Sequence, residues 1–388
     1  MLEYVDRRGT GCEKWDGQEK TFGEGGLLGM WVADMDFKTA PCVRQALAKL
    51  VDEGVFGYNF PPEGYYTAFA DWQWERHGYA VDRKWLRFTP GVVTGLNLLV
   101  QMLTEVQDAV IILSPVYYPF ANAVRNNDRR LIECDLVNDG GAYSVDFEKF
   151  ERDIVENDVR AFILCSPHNP VGRVWTGEEL RRMLDICKAH DVKVIADEIH
   201  NDFVFEPYTH HCAATVGSYD DILVTLMAPS KTFNLAGCQN AFVIIPDEGL
   251  RQQFDALQKT LAMTNGSMFG YVAAEAAYRG GAAWFDELKQ TVWENYTFAR
   301  DYLAEQLPQA VVTELQGTYL MWIDLGAYLA PAEMEDFFQH RCRLAVDYGH
   351  WFGKSGQTMV RLNLATSREN VQTAVTAIAR ELKAMGRA

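Results

Sequence analysis

Several features that mark particular classes of protein are missing from this sequence. Positive charge is scarce, because 36 Lys and Arg stand against 53 Asp and Glu and leave a net charge of −17. Nucleic acids and anionic membrane surfaces are bound by clustered cations, so we expect neither as a partner. Long apolar runs are also missing, and the most hydrophobic stretches, around 96–103 and 109–113, are followed closely by polar residues. No segment is therefore expected to span a bilayer.

Paired cysteine motifs are missing as well. The eight cysteines are spread singly along the chain and include no CxxC pair. This spacing predicts no zinc site and no dithiol redox centre, and we predict no bound metal. Residues 1–8 lack the apolar core of a signal peptide. These observations favour a reduced, cytoplasmic protein.

Repeats and flexible linkers are absent too, so a chain of 388 residues is expected to fold as two interleaved domains. Short β-branched runs recur and are almost continuously apolar, as in strands covered on both faces. These runs are 109–113, 160–165, 192–196, 222–226 and 241–245. Helical patterns lie between several of them, and one helix begins with a capping box of Thr176 and Glu179. Strands alternating with helices predict an α/β fold with a mostly parallel sheet.

The C-terminal part of the chain has a different pattern. Its predicted elements are a helix, a strand and two further helices, at 284–307, 318–324, 332–341 and from 366 onward. The last helix is predicted to begin with a capping box of Thr366 and Glu369. This mixture predicts a smaller α+β domain. We expect a large domain at 45–283 and a small domain formed by 1–44 together with 284–388.

Residues with useful chemistry follow the predicted strand ends, where ligands bind in open α/β sheets. Lys231 lies after the strand 222–226 among apolar neighbours, which would lower the pKa of its amine and suit it to Schiff-base chemistry. Asp197 follows the strand 192–196 and could bind a protonated ring nitrogen. Each also has an ordinary interpretation, a solvated lysine or a loop-starting acid.

Further candidates lie in neighbouring loops. Asn169 is held between two prolines, and His200 follows Asp197 by three positions, so both could face a ligand oxygen. Tyr117 could stack on an aromatic ring, and the N–H groups of 91–96 could bind phosphate at a helix N-terminus. Arg361 lies in a short alternating strand and suits bidentate binding of a carboxylate. Taken singly, each could equally be an ordinary turn, packing or surface residue.

In this order the motifs resemble fold-type I enzymes that depend on pyridoxal 5′-phosphate (PLP), within the aminotransferase class I/II superfamily. The similarity is strongest to the MalY/PatB-like carbon–sulfur β-lyases and covers nearly the whole chain. It is carried by the segments 6–11, 14–16, 31–37, 56–58, 115–120, 166–172, 197–200, 230–237, 317–320 and 361–363. The resemblance implies the aspartate aminotransferase-like fold, with a large domain built on a mostly parallel sheet and a smaller α+β domain.

The resemblance also implies roles for single residues around PLP. Lys231 would bind the cofactor covalently, and Asp197 would pair with its ring nitrogen. Asn169 and His200 would contact the ring oxygen, and Tyr117 would stack on the ring.

The resemblance also implies a site for the phosphate of PLP. Val93, Thr94 and Ser230 would hold the phosphate, and Tyr58 would reach it from the neighbouring subunit of a homodimer. Two positions depart from the usual pattern. Many fold-type I enzymes have Arg or Lys where this chain has Gln239, and relatives often have proline in place of Thr94.

Arg361 would bind the α-carboxylate of a small amino-acid substrate, with Ala33 and Asp34 nearby. The implied reaction is α,β-elimination of L-cystathionine or a related cysteine S-conjugate to a thiol, pyruvate and ammonia. Two alternatives remain open. One is an aminotransferase, because the same cofactor residues serve both reactions, and the other is a regulatory protein-binding role with incidental lyase activity.

Overall fold

The computed structural model describes residues 2–388, which are built around a seven-stranded sheet. Its strands are β1 (Leu86–Thr89), β2 (Ala109–Ser114), β3 (Arg130–Asp135), β4 (Val159–Cys165), β5 (Lys193–Asp197), β6 (Leu223–Met227) and β7 (Ala241–Ile244). They lie in the order β1-β7-β6-β5-β4-β2-β3. β7 is antiparallel to both of its neighbours, and all other neighbouring strands are parallel. The predicted α/β fold with a mostly parallel sheet is confirmed.

The central strands are apolar throughout because both faces of the sheet are covered. In β4 and β5, Phe162 and Val194 belong to one apolar cluster, and Ile163 and Ile195 belong to another. Successive side chains of a strand point to opposite faces, so each strand contributes to both clusters. The covering helices are Pro41–Glu53, Glu63–His77, Val92–Leu103, Pro119–Asn126, Phe147–Glu156, Gly177–Ala189, Glu248–Thr260 and Met268–Gly280.

The two predicted capping boxes had different outcomes. The box of Thr176 and Glu179 is present and begins the helix Gly177–Ala189. The box of Thr366 and Glu369 is wrong, because the last helix, Arg368–Ala384, is capped by the Ser367 hydroxyl, which accepts the Asn370 N–H. Thr366 is buried, and its hydroxyl instead accepts a hydrogen bond from the Asn370 side chain at 2.8 Å.

A second, antiparallel sheet is formed by the C-terminal part of the chain. It contains β8 (Val311–Val312), β9 (Leu320–Asp324), β10 (Asp347–Tyr348) and β11 (Met359–Asn363), in the order β8-β9-β11-β10. The helix Ala282–Gln306 packs against the last helix, Arg368–Ala384. The helix predicted at 332–341 consists of three short turns, Pro331–Glu333, Met334–Asp336 and Phe337–Arg341. The division into domains at 44/45 and 283/284 stays a prediction.

The N-terminal segment packs against the C-terminal part of the chain. It contains the short helices Glu13–Asp16 and Gln18–Phe22, and Leu28–Gly29 pairs in parallel with Leu344–Ala345. The Asn363 amide at the end of β11 donates to the backbone oxygens of residues 32 and 34. These contacts fix the backbone around Ala33. Within residues 2–388, no helix is long and apolar enough to cross a membrane.

Candidate active site

A cavity of about 180 Å³ lies at the carboxyl ends of β4, β5 and β6. Its wall comes from the loops that follow these strands, from the beginning of the helix Val92–Leu103 and from the N-terminal segment. Nine of the twelve residues predicted from the sequence line this cavity, namely Ala33, Val93, Thr94, Tyr117, Asn169, Asp197, His200, Ser230 and Lys231. The sheet brings them together because the ends of parallel strands meet at one edge.

Lys231 projects into this cavity from the turn that follows β6. Its Nζ donates to the backbone oxygen of Ala33 at 2.7 Å. Burial and, to a smaller degree, the nearby Arg361 lower the pKa of the amine from 10.5 to about 8, although Asp34 and Asp197 oppose the change. An appreciable fraction of the amine is therefore neutral, and hence nucleophilic, at ordinary cellular pH.

Asp197 and His200 are buried polar groups at the end of β5. The Asp197 carboxylate accepts one hydrogen bond from the Ile199 N–H at 3.1 Å. Burial raises the pKa of Asp197 to about 7, against the opposing effects of the Ile199 N–H and Lys231. Burial also holds the pKa of His200 well below its usual value, and its Nδ1 has no hydrogen-bond partner. This unpartnered nitrogen is available to hydrogen-bond a polar atom of a ligand.

The first turn of the helix Val92–Leu103 forms another part of the cavity wall. Its N-cap, Gly91, has a φ of 117° and a ψ of 157°, a conformation that is essentially restricted to glycine. A Cβ on Gly95 would lie 2.8 Å from Leu226, so glycine lets this helix pack closely on β6. The first N–H groups of a helix lack partners within the helix and bind anions well. Ser230 lines the same cavity and adds a hydroxyl.

Arg361, in β11, borders the cavity through Asn169. Its Nη1 donates to the Asn169 side-chain oxygen at 2.9 Å, and its Nη2 donates to the Trp31 backbone oxygen at 3.3 Å and to Asp347. The ring of Phe352 lies 4.8 Å from the guanidinium carbon. Burial raises the pKa of Asp347 to about 6, although Arg361 opposes the rise.

Asp347 was missed by the sequence analysis. It is the register partner of Arg361 on the neighbouring strand β10. No local pattern signals this pairing, because it arises only when two strands distant along the chain come together.

The two remaining predicted residues lie outside the cavity wall. The Asp34 carboxylate forms an ion pair with Arg7 at 2.8 Å, and its backbone oxygen accepts from Asn363. Tyr58 is fully exposed in the loop between two helices, and Phe56 and Phe60 on either side of it are exposed as well. The structure therefore does not bring Tyr58 into the cavity of its own chain.

Gln239 is likewise exposed, and the cavity wall includes its neighbour Asn240. The Tyr65 hydroxyl donates to the Asn240 side-chain oxygen at 2.8 Å, whereas the Asn240 amide nitrogen has no partner. Sequence reasoning did not single out Asn240, because a lone asparagine before a strand carries no recognisable signal.

The polar groups of this cavity fit PLP. The buried amine of Lys231 suits a covalent link, and the buried acid Asp197 suits a protonated ring nitrogen. The unpartnered Nδ1 of His200 offers a further polar contact, and the helix that begins after Gly91 offers a site for a phosphate.

Comparison with known proteins agrees with this geometry. Residues 27–378 match the family model of aminotransferase class I and II. The chain is 38% identical over 369 residues to cystathionine beta-lyase PatB of Bacillus subtilis (strain 168), with 95% of each chain covered. It is 32% identical over 390 residues to protein MalY of Escherichia coli (strain K12), with 99% of this chain and 98% of the relative covered.

Solved structures give the same result. Cystalysin from Treponema denticola, which contains PLP, matches with a TM-score of 0.95 and 33% identity over 99% of this chain and 100% of that one. The PLP-bound C-S lyase from Staphylococcus hominis matches with a TM-score of 0.92 and 31% identity over 98% and 97%. The predicted aminotransferase-like fold and PLP cofactor are confirmed. The chain belongs to the aminotransferase class I and II family and, within it, to the PLP-dependent MalY/PatB-like carbon–sulfur β-lyases.

Proposed function

We propose that this protein releases the β-sulfur of L-cystathionine or a related cysteine S-conjugate as a thiol, together with pyruvate and ammonia. The observation that carries the proposal is one buried cavity holding the Lys231 amine, the Asp197 carboxylate and the unpartnered His200 Nδ1. The relatives named cystathionine β-lyase and C-S lyase support elimination as the reaction class.

The cavity residues would divide the task of holding PLP. Lys231 would bind it covalently, Asp197 would keep a proton on the ring nitrogen, and Tyr117 would stack on the ring. Asn169 and His200 would contact the ring oxygen. When bound, PLP supplies a sink for the negative charge that develops at the substrate Cα.

The phosphate would lie beside the first turn of the helix Val92–Leu103. Val93 and Thr94 line the cavity from this turn, where backbone N–H groups lack partners within the helix, and Ser230 lines the same cavity. These donors would hold the phosphate without an Arg or Lys at position 239, because a helix N-terminus favours an anion.

The chain's own groups would then bind the substrate and move its protons. Arg361 would bind the α-carboxylate beside Ala33 and Asp34, which places the Cα proton near the Lys231 amine. Lys231 would be released from PLP when the substrate amine takes its place, and its free amine, with a pKa of about 8, would be suited to remove that proton as a general base. The Cβ–S bond breaks as the electrons left at Cα form a double bond, and the sulfur leaves as a thiol after taking up a proton. Hydrolysis of the remaining three-carbon fragment yields pyruvate and ammonia.

The reaction class is tested by incubating the PLP-loaded protein with L-cystathionine in the absence of any keto acid. We expect pyruvate and free thiol in equal amounts. An aminotransferase would release no thiol and would turn over only after a keto-acid acceptor is added, so that result would overturn the proposal. Lys231→Ala should abolish the release of both products, whereas the control Lys259→Ala, at an exposed helix position, should not change it.

We also propose that the active protein is a homodimer in which Tyr58 completes the partner's phosphate site. The support is the exposed apolar patch formed by Val55, Phe56, Tyr58 and Phe60, since exposed patches of this kind mark contact surfaces. Inactive Lys231→Ala and impaired Tyr58→Ala chains, mixed and allowed to exchange subunits, should recover activity.

Mixing the two variants should restore activity because it creates one complete site. A mixed dimer contains one cavity with an intact Lys231 and an intact Tyr58 from the other chain. If Tyr58 acted within its own subunit, mixing would restore nothing, and each variant exchanged with itself serves as the control.

A cytoplasmic location is proposed on the state of the cysteines, because all eight are free and six of them are buried. Buried thiols without disulfides suit a reducing compartment. Fractionation of the source cells should therefore find the activity in the cytosolic fraction and not in an exported one.

A further inference from the structure

The guanidinium of Arg361, which we have proposed as the site for the substrate carboxylate, is already bound to another carboxylate. Arg361 and Asp347 are register partners on β11 and β10, and their side chains are almost completely buried. The Arg361 Nη2 donates directly to Asp347 Oδ2. The anchor for the substrate is thus an internally neutralised ion pair.

The hydrogen bonds of Arg361 decide which of its donors remain available for a substrate carboxylate. A guanidinium carries five N–H donors, and in Arg361 three of them have acceptors. One Nη1 donor goes to Asn169, and the two Nη2 donors go to the Trp31 backbone oxygen and to Asp347. The Nε has no partner.

A carboxylate binds bidentately across two adjacent guanidinium nitrogens, and Nη2 belongs to both of the available edges. Because both Nη2 donors are in use, neither edge is free for two parallel bonds. The ring of Phe352 lies over the group at 4.8 Å, so a ligand approaches along an edge. A substrate carboxylate can therefore bind in this way only if the Asp347 contact or the Trp31 contact breaks.

Electrostatic repulsion favours breaking the contact with Asp347 over breaking the contact with Trp31. An arriving α-carboxylate would place two anions beside one cation inside the protein, where like charges repel more strongly than in water. The Trp31 oxygen is a neutral acceptor and brings no such repulsion.

We propose that Asp347 is a positioning residue that competes with the substrate α-carboxylate for Arg361. In the absence of substrate, Asp347 satisfies and orients the buried guanidinium, and the incoming carboxylate displaces it. The proposal rests on the function proposed above. Its consequence is that Asp347 weakens the binding of amino acids without taking part in the steps that follow binding.

The experiment compares two ligands in the PLP-loaded wild type and in Asp347→Asn, which keeps the side-chain shape and removes its charge. L-Alanine carries an α-carboxylate but no β-leaving group, and ethylamine carries only the amine. Binding of each is followed by the change in visible absorbance of the cofactor. We expect the variant to bind L-alanine at least about fivefold more tightly and ethylamine with unchanged affinity, because only L-alanine competes with Asp347.

The control is Asp324→Asn on the adjacent strand β9, where the carboxylate accepts from Thr358 and Gly326 and does not contact Arg361. It should change neither affinity. An unchanged or weaker affinity of Asp347→Asn for L-alanine would overturn the proposal, since a residue that merely orients Arg361 would assist carboxylate binding.

A crystal structure of the wild type with L-alanine bound tests the same point without any variant. The contact between Asp347 Oδ2 and Arg361 Nη2 should be broken in that complex, and an intact contact beside a bound α-carboxylate would contradict displacement. Lyase activity toward L-cystathionine is measured separately on the wild type. A lack of pyruvate would refute the proposed reaction, while the comparison of L-alanine with ethylamine still decides the role of Asp347.

Discussion

The buried carboxylate of Asp197 should contribute to the pH dependence of the stability of the PLP-free protein, and Asp197→Asn should remove that contribution. Burial raises the pKa of Asp197 in the folded chain from 3.8 to about 7. Between these two values the folded state holds a proton that the unfolded state has lost, so the free energy of unfolding falls as the pH rises. This stabilising contribution is fully present below pH 3.8 and is lost as the pH passes through about 7. From pH 5 to pH 8 the loss amounts to about 3 kcal/mol.

Urea denaturation of both PLP-free proteins at pH 5 and pH 8 measures this effect. We expect the wild type to lose about 3 kcal/mol more than Asp197→Asn over this range, because the amide does not titrate. In the wild type, added PLP should abolish the loss of stability that Asp197 causes between pH 5 and pH 8. The reason is that a protonated ring nitrogen would stabilise the charged carboxylate. A pH dependence that is equal in the two proteins would refute the reasoning.

Three further predictions concern the cavity and the fold. Capture of PLP by the PLP-free protein requires a neutral Lys231 amine. The rate of capture, followed by stopped-flow absorbance, should therefore rise with pH around a midpoint of about 8. A midpoint near 10.5 would contradict the lowered pKa of Lys231. Gly91→Ala should cost about 1–3 kcal/mol in urea denaturation, because its φ of 117° strains any other residue although no atom lies within 4 Å of the new Cβ. Thr176→Ala should lower the unfolding free energy by about 1 kcal/mol through loss of the helix cap while leaving PLP affinity unchanged.

The parts of the fold that were predictable from the sequence are those with a local signal. All five predicted β-branched runs are strands of the large sheet, with ends that differ by a residue or so. Their continuous apolar character follows from coverage on both faces, and this property is visible in each run separately. The last helix is capped by Ser367 and not by the predicted Thr366. This was not predictable, because burial of Thr366 depends on the packing of the finished structure.

In the candidate site, too, the residues with a local sequence signal were predicted and those without one were not. Lys231 and Asn169 follow strand ends and Asp197 is the last residue of a strand, and the order of their motifs along the chain predicted a common cavity. Asp347 carries no motif, and its position opposite Arg361 depends on the register of two short strands. The exposure of Tyr58 is also a property of the folded chain, although its assignment to a partner subunit stays a proposal.

The contacts of the Ala33 backbone oxygen have a consequence for the order of events during synthesis. This one oxygen accepts hydrogen bonds from Lys231 and from the Tyr319 hydroxyl, and Asn363 holds the backbone on either side of it. Residues near both ends of the chain must therefore be in place before the lysine is fixed. A nascent chain on the ribosome cannot complete this arrangement until β11 has emerged. The final placement of the Lys231 side chain is thus deferred until translation is almost finished.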